Sequence, residues 1–259
     1  MNYENIIVET GDDFVAVITL NRPNHLNTFN SPLARELDQA LWQLDSEKQV
    51  RVIIIKGAGK AFCAGIDISE LAGKTANEYK SWIELMQKPL ITISRISKPV
   101  IAQVHGVAVA NGAGLVAASD LAVVADNAKL GLTAINVGLN CIGPVIPVTR
   151  SIGRKRALEL LLFGELIKAQ EALNMGLVNR TVPKDELETE TRKRAVILAQ
   201  KSPLAVRIAK EAFYTATELD YYKAFEYMNE AFARLCSTED AKEGVSAFLE
   251  KRNPVWKEK

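Results

Sequence analysis

Two stretches of this chain repeat one arrangement: an apolar run gives way to small residues and then to the start of a helix. In the first, Val52-Ile53-Ile54-Ile55-Lys56-Gly57 leads through Ala58 to Gly65 and on to Ile66-Asp67-Ile68. In the second, Val100-Ile101-Ala102-Gln103-Val104-His105-Gly106 leads to Val107-Ala108-Val109-Ala110 and then to Asn111-Gly112-Ala113-Gly114. The apolar runs read as buried strands. Each delivers the backbone of a helix start to whatever lies beyond the strand end.

The first turn of a helix carries N–H groups without intrahelical partners and the positive end of the helix dipole. Small residues let a ligand approach that backbone. Two N–H groups brought onto one carbonyl oxygen make an oxyanion hole, worth roughly 3 kcal/mol per donor to an enolate or a tetrahedral intermediate. Ordinary strand-to-helix packing accounts for either turn taken alone, because glycine and alanine also serve close packing.

The 259 residues carry 32 basic and 31 acidic side chains, a net charge of +1, so no field of one sign points to nucleic acid or an anionic membrane. The opening segment, Met1-Asn2-Tyr3-Glu4-Asn5-Ile6, has no basic region followed by an apolar stretch, and no later stretch is long enough to span a bilayer. A cytoplasmic location is expected. Cys63, Cys141 and Cys236 are an odd set without metal-ligand spacing and read as small buried hydrophobes in a reducing compartment.

Residues 6–10 and 14–20 around Gly11-Asp12-Asp13 read as a hairpin. Ser31-Pro32 supplies an N-cap and first-turn proline for an amphipathic helix to about Leu44. A strand at 50–56, a helix at 78–96, a strand at 100–104, a helix at 112–118 and a strand at 121–125 follow. From Arg150 the chain is nearly all helix, with stretches at 155–163, 169–175, 184–201, 203–217, 221–235 and 238–251, and with caps at Ser202-Pro203 and Ser237-Thr238. Helices that cannot bury their own faces suggest oligomerisation.

His25 and His105 are too few for a histidine-rich metal site, and His105 reads as a hydrogen-bonded core residue. A nucleophile elbow, a Walker A loop and a dinucleotide fingerprint are all absent. Serine hydrolase, nucleotide hydrolase and nicotinamide dehydrogenase chemistry lose ground accordingly.

The two turns, their order and their flanks resemble the crotonase superfamily, the enoyl-CoA hydratase/isomerase family. The likeness runs from Ile18-Thr19-Leu20-Asn21-Arg22-Pro23 and Asn27, through residues 61–68 and His105-Gly106 with Gly112, to Ala118-Ser119-Asp120-Leu121, Gly131, Gly138, Gly164, Gly176-Leu177-Val178 and the segment from Glu243 to Arg252. It implies an α/β fold, a crotonase-like spiral of ββα turns over residues 1–195, with a C-terminal helical trimerisation region over 196–259. A homotrimer or a dimer of trimers is implied with it. So is an acyl-CoA substrate, coenzyme A entering as part of the thioester and no separate cofactor or metal being needed.

The resemblance carries the two oxygen-holding N–H groups onto Ile66 and Asn111. It carries the CoA contacts onto His25, Leu26, Ala64, Asp67 and Ile68, with Lys251 at the nucleotide end. A solvated terminal-helix lysine explains Lys251 equally well. The family's usual three glycines stand here as Ala110-Asn111-Gly112.

Departures bear on the reaction. Hydratases of this family add water with two glutamates, one as base and one as acid, and the matching places are Gly114 and Ala134. Isomerases often need one carboxylate at the second place, which is alanine, and the dehalogenase aspartate beyond Gly138 meets Leu139-Asn140-Cys141-Ile142-Gly143. The polar groups left are Asn111, Thr133, Asn136, Asn140 and Cys141, with Asp67 and Glu70 on the first loop and Glu84 and Gln87 on the intervening helix. The expectation is an acyl-CoA thioester-binding enzyme that stabilises an enolate for isomerisation, decarboxylation or another reaction sparing of proton transfer. A non-catalytic CoA-ester binding or assembly protein and a CoA-thioester hydrolase stand as alternatives.

Overall fold

The computed structural model describes residues 3–259; Met1 and Asn2, at the head of the segment read above for targeting signals, lie outside the described residues. β1 (Ile6–Thr10) and β2 (Val15–Leu20) form the expected antiparallel hairpin. α1 (Ser31–Ser46) is capped one residue earlier than expected, by Asn30, whose side chain accepts from the Leu33 N–H. β3 (Val52–Gly57), α2 (Ala76–Arg95), β4 (Val100–Val104), β5 (Val107–Val109), α3 (Asn111–Ala118) and β6 (Leu121–Ala125) complete the two units. The second half runs β7 (Lys129–Gly131), α4 (Val145–Ile152), α5 (Arg154–Phe163), β8 (Leu166–Lys168), α6 (Ala169–Met175) and β9 (Arg180–Val182). It ends with α7 (Leu187–Ala199), α8 (Pro203–Ala216), α9 (Tyr221–Cys236) and α10 (Glu239–Leu249).

The strands make two sheets, ordered β1-β2-β3-β4-β6-β9 and β5-β7-β8. From β2 to β9 the larger sheet is parallel. A parallel sheet is covered by its crossover helices, so its central strands carry apolar side chains on both faces. Residues 52–55 and all of β4 are buried accordingly. α7 packs on β3, β4 and β6, α1 on β1 and β2, and α3 on β4 and β6. The strands β5, β7, β8 and β9 are not among the sequence expectations, because three residues are too few to display an alternating period; helix α4 is not among them either.

The apolar core extends to Ala199 at the end of α7, so the expected division between residues 195 and 196 falls inside one helix. Beyond it, Ile208, Ala212 and Ala231 form a small separate cluster. Ser202 and Thr238 cap α8 and α10, accepting from the N–H groups of Ala205 and Ala241. Buried Asp240 gathers the helical end together: it accepts from the Ser202 hydroxyl at 2.9 Å and from the Lys257 and Glu258 N–H groups at 2.7 and 3.0 Å. Cys63 and Cys141 are buried, whereas Cys236 is exposed at the end of α9 and corrects the expectation that all three are interior. No helix of the described residues is long and apolar enough to cross a membrane, and no metal-ligating cluster occurs among them.

One polar cluster fixes α8 to the core. Lys210 Nζ lies 2.7 Å from Asp120 Oδ2 and 2.8 Å from the Lys98 carbonyl, and the Tyr214 hydroxyl donates to Asp120 Oδ1 at 2.9 Å. Burial pushes the Lys210 ammonium below its ordinary value, against the pull of Asp120. Removing one partner leaves the other charge buried, a loss of about 3 kcal/mol for such pairs. Lys210→Met is expected to lower the unfolding free energy by that amount, read from urea denaturation.

Candidate active site

The two strand-to-helix turns are laced side by side by backbone hydrogen bonds. The Phe62 N–H donates to the His105 carbonyl at 3.1 Å, Cys63 N–H to Val107 at 3.1 Å, and Val109 N–H back to Cys63 at 3.0 Å. Gly112 lies so near this seam that a side-chain carbon on it would meet the Cys63 carbonyl at 2.1 Å. Across the seam, a side-chain carbon on Gly65 would stand 3.0 Å from the Ala110 methyl. The residues following Gly65 and Ala110 are Ile66 and Asn111, and both line one cavity of about 230 Å³. Neither N–H has a partner among the described residues.

Asn111 is 2% exposed, and its side chain donates through Nδ2 to the Met86 carbonyl of α2 at 2.9 Å. That bond draws the amide into the protein, so an asparagine stands in a glycine place without its side-chain amide competing for the space beside its own N–H. Ala110 bears the cost of the turn, with φ 49° and ψ −115°, a region L-residues rarely occupy. It is held there by its N–H to the Gly131 carbonyl at 2.9 Å and by its carbonyl accepting from the Gly114 N–H at 3.0 Å.

Five of the six expected CoA contacts come together at one edge of this site. Ala64 N–H donates to Leu26 at 3.0 Å, Phe29 N–H to Gly65 at 2.8 Å and Asp67 N–H to Phe29 at 2.7 Å, bringing the loop of His25 and Leu26 against Ala64, Asp67 and Ile68. Buried Asn27 fastens that loop, donating to the Ala58 and Ala61 carbonyls, both at 2.8 Å, and accepting from the Arg22 N–H at 2.9 Å. His25, Leu26 and Ile68 are exposed. Lys251 is not brought to this edge by its own chain. It follows α10, which packs on α8 and α9, and the tail beyond it reaches Arg51 before β3, while Ile66 lies beyond the opposite end of that strand. His105 is half-buried and bonded through Nε2 to the Gly59 carbonyl at 3.0 Å.

The first-loop carboxylates are occupied. Asp67 accepts from Ser69 at 2.7 Å and pairs with Arg22 at 2.8 Å; the Ser69 hydroxyl first, then Arg22, hold its carboxyl below the usual value against the upward push of burial. Burial pushes Glu70 upward, but the Trp82 indole and the Ser31 N–H and hydroxyl outweigh it and leave it lowered. A lowered pKa makes each a weaker base. Glu84 is exposed beside Lys80, and neither it nor Gln87 lines the cavity.

The two expected glutamate places differ. Ala134 lines the cavity with a methyl group. Gly114 has no room: a side-chain carbon there would meet Pro144 Cβ at 2.8 Å, Pro144 Cα at 2.9 Å and Leu90 Cδ2 at 3.0 Å. Much of the rest of the wall is apolar, with Ile83, Val137, Leu139, Ile142 and Pro144, and its polar side chains include Thr133, Asn140 and Cys141. Ile83 and Pro144 were not singled out in the sequence; the apolar face of α2 held the signal for the first. Cys141 is 3% exposed, and burial raises its thiol pKa, only partly offset by the Ala134 N–H. Asn136 is turned away, donating to the Gly164 carbonyl at 2.9 Å.

Residues 10–259 match the family model described as Enoyl-CoA hydratase/isomerase. The chain is 40% identical over 263 residues to the "Probable enoyl-CoA hydratase echA8" of Mycobacterium tuberculosis, covering 99% of each, and 34% identical to the "Short-chain-enoyl-CoA hydratase" of Clostridium acetobutylicum, covering 97% of each. Among solved structures, an enoyl-CoA hydratase from Mycobacterium smegmatis superposes with a TM-score of 0.95 at 36% identity, over 98% of this chain and 99% of that one. Human enoyl coenzyme A hydratase domain-containing protein 3 gives 0.94 at 34% identity, over 98% of this chain and 100% of that one.

Relief of a strained φ is worth about 1–3 kcal/mol, against about 0.5–1 kcal/mol lost to the greater freedom of unfolded glycine. Ala110→Gly is therefore expected to stabilise the protein by about 1 kcal/mol, measured by chemical denaturation. Gly114→Glu is expected to destabilise it by about 1–3 kcal/mol through overpacking against Pro144.

Proposed function

The chain belongs to the enoyl-CoA hydratase/isomerase family, and from that premise we propose that it is an acyl-CoA-dependent enzyme in which the thioester oxygen sits between the N–H groups of Ile66 and Asn111. The observation carrying this reading is the pair of unpartnered N–H groups on facing turns at the rim of one cavity. At roughly 3 kcal/mol per donor, such a pair lowers the barrier to any step that puts negative charge on that oxygen. His25, Leu26, Ala64, Asp67 and Ile68 flank the route by which the CoA chain enters. Because Asp67 is paired with Arg22, its contribution is the backbone and the shape of the loop. Lys251 contacts CoA only where a second copy of the chain presents it.

The charge held between the two N–H groups is that of a thioester enolate. Hydration by paired glutamates is not part of this reading, although the relatives bear hydratase names. Each missing acid or base removes roughly 10²–10⁴ in rate, Ala134 has no proton to give, and the Gly114 place is filled by Pro144. The region 196–259 serves assembly, as a trimer or a dimer of trimers. Exposed Tyr221, Tyr222, Phe225 and Phe232 on α9 and Phe248 and Leu249 on α10 support this.

Two measurements test the reading. Butyryl-CoA is expected to bind in isothermal calorimetry. Hydration of crotonyl-CoA, followed by loss of the enoyl absorbance, is expected to lie at least about 10⁴-fold below that of a two-glutamate hydratase, and to remain at least about 10²-fold below it in Ala134→Glu, where the second group is still missing. Failure to bind any acyl-CoA sinks the thioester reading, and rapid hydration by the unaltered protein sinks the enolate reading.

A further inference from the structure

The cavity wall contains no aspartate, glutamate, histidine, lysine or arginine. Resting on the thioester reading above, we propose that the substrates are malonyl-type thioesters, acyl-CoA esters carrying a carboxylate on the α-carbon, and that the enolate arises by loss of carbon dioxide.

An enolate forms when the α-carbon gives up a substituent and leaves the bonding pair behind. If that substituent is a proton, a base must receive it within hydrogen-bond reach. The first-loop carboxylates, Asp67 and Glu70, are tied to Arg22, Ser69, Ser31 and Trp82, and neither they nor Glu84 of α2 lines the cavity. Cys141 is a buried thiol without a cation on the same wall. If the substituent is a carboxylate, no base is needed. The bond between the α-carbon and the carboxyl carbon breaks, carbon dioxide departs with neither electron of that bond, and the pair flows through the carbonyl to the thioester oxygen. The α-carbon then takes one proton from water. One malonyl-type thioester and one proton thus give one acyl-CoA and one carbon dioxide, with nothing oxidised or reduced.

The cavity suits this exchange electrostatically. A carboxylate set against Ile83, Val137, Leu139 and Ile142 meets no cation on the wall to hold its charge in place. Its charge moves to an oxygen with two N–H groups on it, and the departing molecule is neutral. Thr133 and Asn140 line the same wall, and neither side chain has a hydrogen-bond partner among the described residues. They offer neutral donors that orient the carboxylate without neutralising it.

The test uses the purified full-length protein with malonyl-CoA, methylmalonyl-CoA and ethylmalonyl-CoA in deuterated water, following released carbon dioxide and the mass of the acyl product. Release of one carbon dioxide per acyl-CoA formed, with one deuterium on the α-carbon, is the expected result. Asn140→Leu is expected to raise KM for the best of these about tenfold, the worth of one hydrogen bond to a charged group. No carbon dioxide from any of the three, while butyryl-CoA binds, overturns the inference and leaves the thioester reading standing; absence of binding by either class removes both. Exchange of deuterium into the α-position of butyryl-CoA overturns it as well, since that reveals a base.

Discussion

The rest of the structure depends on the backbone seam between the turns after β3 and β4. Phe62, Cys63 and Val109 donate across it, and the Cys63 carbonyl is approached so closely that position 112 admits only a glycine. The parallel sheet below sets the strands at a fixed spacing of about 4.8 Å, and the seam carries that spacing past the strand ends into irregular chain. Ile66, just ahead of a single 3-10 turn at Ile68–Glu70, and Asn111, at the start of α3, thus end up on facing segments. Everything proposed about the site uses this fixed distance between two segments that are nearly fifty residues apart in sequence.

The fold and the two facing turns were legible because they rest on backbone, and backbone demands are written in residue size. Uniform apolar runs such as Val52 to Ile55 announce buried strands, and Ala-Gly-rich ends announce close approach. What stayed hidden is specific to side chains that answer one another across the fold. Nothing in the sequence says that the Asn111 amide turns to Met86, that Asn27 fastens the loop holding His25 and Leu26, or that Pro144 occupies the space beside Gly114. Asp67 and Glu70 illustrate the same limit: as sequence they are free carboxylates near the site, and in the fold they are structural acceptors. Three-residue strands such as β7 and β8 leave no periodic trace at all.

The proposed site divides into a main-chain part and a side-chain part. Two N–H groups of main chain survive any side-chain replacement that keeps the turn, which is why Ala110 and Asn111 can stand where glycines are expected. Acid and base groups have no such tolerance, since each is a single side chain at a single place. A chain of this architecture can therefore keep its ligand class while exchanging its reaction.

Pro144 also sets how a carboxylate could be introduced at position 114. A glycine beside open space accepts a larger residue by one substitution. Here that space is closed by a ring whose carbons stand where the first side-chain carbon would come, so an acid at this place requires at least two changes, the first of them unfavourable alone. The packing of one proline thus closes the single-step route to a side-chain acid beside the two turns.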